Sequence, residues 1–180
     1  MSSGYLDSVP ARPQEARRTY PLDVLHTTAS AWVIFIRLAV GLVFLPEGIQ
    51  KLVFPEILGS GRFTGIGIPY PEVMGSFVGW VELVCGLLVL AGLLTRVAAV
   101  PLIITMIVAI VSTKIPIWLG EDWLMFNVRE LSRYGFWSFM HETRTDWAML
   151  MGSLYLLAVG GGRASLDDLL WRRMRREENP

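Results

Sequence analysis

Four apolar segments separated by short polar ones constrain this chain more than any other feature. Residues 29–54 are almost continuously apolar, interrupted by Arg37, Glu47, Gln50 and Lys51. Residues 73–94 carry one charge, Glu82, and residues 97–119 carry one, Lys114. Residues 147–159 carry none, and Gly160, Gly161 and Gly162 extend them. A bilayer-spanning helix needs about 17–25 such residues. The first three segments reach that length, and the fourth does so by including Thr145, Asp146 and the glycines. The alternative is a soluble bundle of wholly buried helices. With 53% hydrophobic and 18% charged residues, such a bundle would have too few polar side chains to cover its surface. The expected fold is all-α: a polytopic membrane protein, a four-transmembrane-helix antiparallel bundle with spans at about 29–54, 73–94, 97–119 and 145–162.

Three units follow. Residues 1–28 read as a polar tail with Pro10, Pro13 and Pro21, three arginines and His26, and no apolar stretch of the kind a signal peptide has. Residues 29–162 form the membrane domain, and 163–180 a basic amphipathic tail. Sixteen basic residues balance sixteen acidic ones, so the basic excess of a nucleic-acid binder is missing. The bilayer is the expected partner, and nucleic acid is not. Cys85 is the single cysteine, which excludes an internal disulfide or dithiol relay. No internal repeat stands out.

Basic residues set the topology. With the N-terminus inside, nine arginines face the cytosol: Arg12, Arg17, Arg18, Arg96, Arg163, Arg172, Arg173, Arg175 and Arg176. Six basic residues then face outward: Lys51, Arg62, Lys114, Arg129, Arg133 and Arg144. Both termini are therefore expected in the cytosol of a plasma-membrane protein. Only Thr95 and Arg96 separate the second and third segments, which forces a helical hairpin. Gly59, Gly61, Gly65 and Gly67 lack the Gly-Lys-Ser/Thr ending of a phosphate loop and read as a turn-rich loop. Residues 120–144 hold six aromatic side chains and read as an interfacial loop with a short helix that caps the bundle. At the other end, Ser165 and Asp168 have capping-box spacing. Leu166, Leu169, Leu170 and Met174 share one face of the helix that follows, which suits a membrane surface.

Charges inside spans are costly and face the bundle interior. At about 1.5 Å rise per residue, Glu47, Lys51, Glu82 and Lys114 fall near one depth in the outer half, with Arg144 and Asp146 at the start of the fourth span. Two readings are open. One is a structural ion-pair network in which Glu82 meets Lys51 or Lys114. The other is a polar pocket. The catalytic candidates are Glu47, Lys51 and Glu82. The cofactor-binding candidates are Arg37, Gly48, Gly79, Lys114, Arg144 and Asp146. Arg37 lies deep on the cytosolic side and needs an acid, a backbone carbonyl or water. Gly41, Gly48, Gly75, Gly79 and Gly86 suit close helix packing, and Gly48 and Gly79 leave room for a flat ring. His141, Glu142 and Asp146 lack the spacing of a zinc helix, and no metal, flavin or haem motif is present.

The chain resembles the DoxX family of small integral membrane proteins over nearly all of residues 30–170. The carriers are Arg37-Leu-Ala-Val-Gly-Leu-Val-Phe and Glu47-Gly-Ile-Gln-Lys51, then Gly79-Trp-Val-Glu82-Leu. Gly86-Leu-Leu-Val-Leu-Ala-Gly-Leu-Leu-Thr-Arg96 and Gly160-Gly-Gly-Arg163-Ala-Ser165-Leu-Asp167 complete the set. The loop ending His141-Glu-Thr-Arg144-Thr-Asp146 is similar to a longer-loop branch. The resemblance implies a four-helix bundle and, from some relatives, a small subunit of a thiosulfate:quinone oxidoreductase or a partner in a membrane redox complex. Many relatives carry His where this chain has Glu47. Two functions follow. The first is an accessory, non-catalytic membrane subunit that binds a partner or small molecule. The second is a quinone-linked oxidoreductase subunit, with Lys51 steadying a quinol oxyanion and Glu47 or Glu82 moving protons.

Overall fold

The computed structural model describes residues 29–178; the segment read as an N-terminal tail, with His26, lies outside the described residues. Among the described residues the chain is helical: α1 Val33–Val53, α2 Ser60–Ile66, α3 Pro71–Ala91, α4 Thr95–Ala109, α5 Ile115–Leu119, α6 Phe136–Val159 and α7 Leu166–Glu178. A π-helical turn, Ile110–Lys114, joins α4 to α5. Three runs are long and apolar enough to cross a membrane: α1, α3 and the run Thr95–Leu119. At about 1.5 Å per residue, the 21 residues of α1 and of α3 cover about 31 Å, the thickness of a hydrocarbon core. α6 has 24 residues. Every 18-residue stretch of it contains Glu142, Arg144 and Asp146, so it is the least apolar of the four long helices.

α1 packs chiefly on α3, and α4 chiefly on α6; α3–α4 and α1–α6 contacts close the bundle. The apolar core lies where the four meet, around Val40, Phe44, Val89, Ala99, Leu102 and Leu156. Large apolar side chains cover the outside, among them Phe35, Leu42, Phe77, Trp80 and Ile104, which are all more than half exposed. Apolar surface of this extent suits lipid.

Glycine sets the α1–α3 distance. A Cβ on Gly48 would fall 2.5 Å from the Leu83 backbone nitrogen and 2.6 Å from the Gly79 carbonyl oxygen. One on Gly86 would fall 2.9 Å from the Leu45 nitrogen. The two backbones touch where side chains are absent, the close approach that small residues permit. The flat ring expected between Gly48 and Gly79 therefore has no room there, because the opposing backbone already fills the space.

Two boundaries differ from the sequence reading. The α3–α4 link is Gly92, Leu93 and Leu94, while Thr95 and Arg96 already belong to α4. Gly92 is left-handed, with φ 67°, and the Leu93 N–H reaches back to the Leu88 carbonyl. This is the Schellman closure that glycine makes easy. α6 starts at Phe136, nine residues before the expected fourth segment. Residues 136–144, read as the end of the interfacial loop, are its first turns, so the short capping helix and the fourth segment are one element.

Candidate functional site

The end of the bundle where α1 finishes and α3 begins carries the first group of charges. Lys51 sits in the last turn of α1, level with Gly79 of α3, whose missing side chain lets the lysine stem pass. Its Nζ bonds Glu82 Oε2 at 2.6 Å and Glu47 Oε2 at 3.2 Å. Glu82 is 3% exposed and Lys51 9%, whereas half of the Glu47 side chain remains accessible. The Glu47–Lys51 contact is the i,i+4 pair with the acid first, the favoured orientation. Arg62 of α2 adds positive potential near Glu82. A buried ammonium thus bridges one buried carboxylate and one open to the surface.

The second group lies on the other helix pair. Pro116 has no N–H to return to the Ser112 carbonyl, and the preceding turn widens to π geometry, the Ile115 N–H bonding the Ile110 carbonyl instead. Three consecutive polar residues, Ser112, Thr113 and Lys114, are buried in that turn. Lys114 Nζ lies 3.4 Å from Asp146 Oδ2 on α6. Of the two lysines open to Glu82 in the sequence, the fold selects Lys51. Lys114 takes Asp146, and no ion pair joins the two groups among the described residues.

The remaining candidates lie elsewhere. Arg144 bonds the Nδ1 and carbonyl oxygen of His141 at the exposed surface, at 2.7 and 3.0 Å. Glu142 pairs with Arg129 at 3.5 Å. His141, Glu142 and Asp146 therefore turn to three different partners. Among the described residues no three His, Cys, Asp or Glu side chains gather as a metal site would require. Cys85 is buried in the core as a free thiol.

Arg37 is at the opposite end, about 21 Å along α1 from Lys51. Of the three partners open to it in the sequence, it takes carbonyls. Nε donates to Val89 O at 2.9 Å and Nη2 to Leu90 O at 2.5 Å, both carbonyls of the last turn of α3. Nη1 donates to Gly161 O and Ala164 O, at 3.3 and 2.5 Å, on the segment after α6. A planar fork with five donors suits this arrangement. Beside it stands Asp167, absent from the candidates above. Its two carboxylate oxygens accept the N–H groups of Leu94 and Thr95, at 2.7 and 3.0 Å, and so cap α4 from 72 residues away. The sequence signal for it was only an acidic residue in the first turn of a capped helix, which ordinarily serves its own helix. The Ser165 cap itself forms: its Oγ accepts the Asp168 N–H at 3.2 Å.

Comparison with known proteins follows the same outline. The DoxX family model matches residues 32–115, which hold α1, α3 and the whole charged run to Lys114. "Uncharacterized membrane protein Rv3486" of Mycobacterium tuberculosis is 51% identical over 150 residues, covering 83% of this chain and 88% of that protein. "Putative oxidoreductase CatD" of Bacillus subtilis is 26% identical over 139 residues, covering 77% of this chain and 87% of that one. No solved structure matches. The shared span, the relative alike along most of its length and the apolar helices agree: the chain belongs to the DoxX family of membrane proteins.

Proposed function

We propose that the protein is an accessory, non-catalytic membrane subunit of four spans, α6 being the fourth, with both termini in the cytosol. The Lys51 end faces outward and presents Glu47 to a partner or small molecule. One observation carries this reading. The buried charges near that end, Lys51, Glu82 and Lys114, are each bonded to an opposite charge on another helix. Such pairs fix register and orientation more than they stabilise. Only Glu47 in the first group keeps its carboxylate largely open. The test is native electrophoresis of mildly solubilised membranes that express the full chain. A band heavier than the single chain, weakened by Glu47→Gln at unchanged melting temperature, supports the proposal. Migration as a lone chain in both cases overturns it.

A second reading, a quinone-linked subunit, draws on the link from exposed Glu47 through Lys51 to Glu82. Such a link provides a cation for a quinol oxygen and a carboxylate that reaches water. The name of the Bacillus subtilis relative points the same way. Electrons would come from another subunit or a small sulfur compound. Organic extraction of purified protein and quinone-analogue titration of tryptophan fluorescence test it. Quinone in the extract, with binding reduced by Glu82→Gln in folded protein, supports this reading. An empty extract and no saturable response remove it.

A further inference from the structure

α7 is tied to the bundle at its root. The Asp167 N–H bonds Gly92 O at 2.9 Å, and the Asp167 carboxylate holds the first turn of α4. This fixes the start of α7 at the level where α3 ends and α4 begins, the level at which two apolar helices leave the hydrocarbon. From there α7 presents Leu166, Leu169 and Leu170 to the outside, 41%, 62% and 40% exposed. Arg172 and Arg173 lie one turn beyond Leu169, at i+3 and i+4, on the same side of the helix. Exposed leucine flanked by arginine describes a helix lying in a membrane interface.

A depression of about 370 Å³ opens at this root. Ala91, the last residue of α3, forms one side, and Arg163, Ser165, Leu169 and Arg172 line the rest. Asp168, also in the lining, is neutralised by Arg172 at 2.8 Å. Arg163 is exposed and makes no hydrogen bond or ion pair among the described residues, so its full charge faces the depression. The acid next in sequence, Asp167, is 2% exposed and committed to the α4 cap. Positive charge at the interface, an apolar wall below it and a cavity of a few hundred Å³ share one location.

We propose that the root of α7 is a binding site for the headgroup of an anionic phospholipid, with the phosphate at Arg163 and Arg172 and the acyl chains along Leu169 and the end of α3. The occupant is lipid of the bilayer itself, because the leucine face continues the apolar surface of the bundle. The site stands independently of either functional reading, since it lies at the opposite end from Lys51.

The test uses the full chain purified in neutral detergent and supplied with phosphatidylglycerol or phosphatidylcholine, with retained lipid counted after washing. Each arginine near an anionic surface is worth about a five-fold preference. Arg163→Gln with Arg172→Gln, which also leaves the Asp168 carboxylate unpaired, is therefore expected to abolish the preference for phosphatidylglycerol. Arg163→Gln alone, at an exposed and unbonded position, is expected to lose about five-fold and carries the test if the double variant unfolds. Leu169→Ser keeps every arginine and is also expected to lower retention. Equal retention of the two lipids by the wild-type chain overturns the proposal. So does undiminished retention by both arginine variants or by the leucine variant. Displacement by soluble glycerol phosphate as effective as by lipid overturns it too, since the site would then take phosphate from water.

Discussion

Removing the ammonium of Lys51 strands the Glu82 carboxylate, and the structure makes the consequence unequal for the two partners. In Lys51→Met, Glu82 is 3% exposed and loses its 2.6 Å partner. An uncompensated buried charge costs about 3–5 kcal/mol. In Glu82→Gln, Lys51 keeps Glu47 at 3.2 Å, and the amide oxygen still accepts a hydrogen bond. That loss is expected at about 1–2 kcal/mol. In the double variant no charge is stranded, and the remaining cost is a poorly paired amide, about 1–3 kcal/mol. Lys51→Met is therefore expected to be rescued in part by adding Glu82→Gln, with a coupling on the order of 3–4 kcal/mol. Reversible unfolding in mixed micelles, followed by helical signal, measures all three variants. Losses that add to within about 0.5 kcal/mol, or a Glu82→Gln loss equal to that of Lys51→Met, would refute the pairing and its asymmetry.

Other substitutions probe the remaining contacts. Gly48→Ala forces a Cβ into the α3 backbone and is expected to cost about 1–3 kcal/mol. Gly65→Ala, at an exposed position of α2 with nothing within 4 Å of the new atom, is expected to stabilise by about 0.5–1 kcal/mol. Thermal melts of the pair separate packing from propensity, and equal signs would contradict the close approach. Arg37→Lys keeps the charge but cannot span carbonyls on two segments, so a loss of about 2–4 kcal/mol is expected. Asp167→Asn retains one acceptor of two and is expected to cost about 1–2 kcal/mol. Hydrogen exchange at Leu94 and Thr95 should rise with it, and unchanged exchange there would remove Asp167 as the α4 cap.

What could be read from the sequence follows from how local each cause is. Apolar runs are long and contiguous, so α1, α3 and the helix through Lys114 were visible as spans. The i,i+4 contact of Glu47 and Lys51 and the Ser165 cap need only helical geometry, and both form. The choice between Lys51 and Lys114 for Glu82 depends on the register between helices, which close backbone contacts at Gly48, Gly79 and Gly86 set. The Arg37 partners depend on where α3 stops, because only the last carbonyls of a helix are free. The start of α6 was misread because Trp, Phe and charged residues suit an interface and a helix end equally. Asp167 was missed because its partner helix begins 72 residues earlier in the chain.

The two ion pairs occupy equivalent places. Each lies on the first helix of a hairpin and reaches the second: Lys51 and Glu82 are 31 residues apart, and Lys114 and Asp146 one more. The α1–α3 and α4–α6 pairs are also the most extensive contacts in the bundle. No repeat stood out in the sequence, because apart from the lysine and the acid the matching positions differ: Gly48 packs backbone to backbone in one hairpin, and a π-turn at Pro116 adjusts the other. If each hairpin is closed by its own pair, perturbing one should leave the other intact. Lys51→Met and Lys114→Met are then expected to add to within about 0.5 kcal/mol, as independent sites do. Lys114→Met should cost less, because Asp146 keeps 17% side-chain exposure against 4% for Glu82 and is partly solvated when stranded. A coupling above about 1 kcal/mol between the two lysines would mean that the charges act as one cluster across all four helices, and the separation into two hairpins would fall.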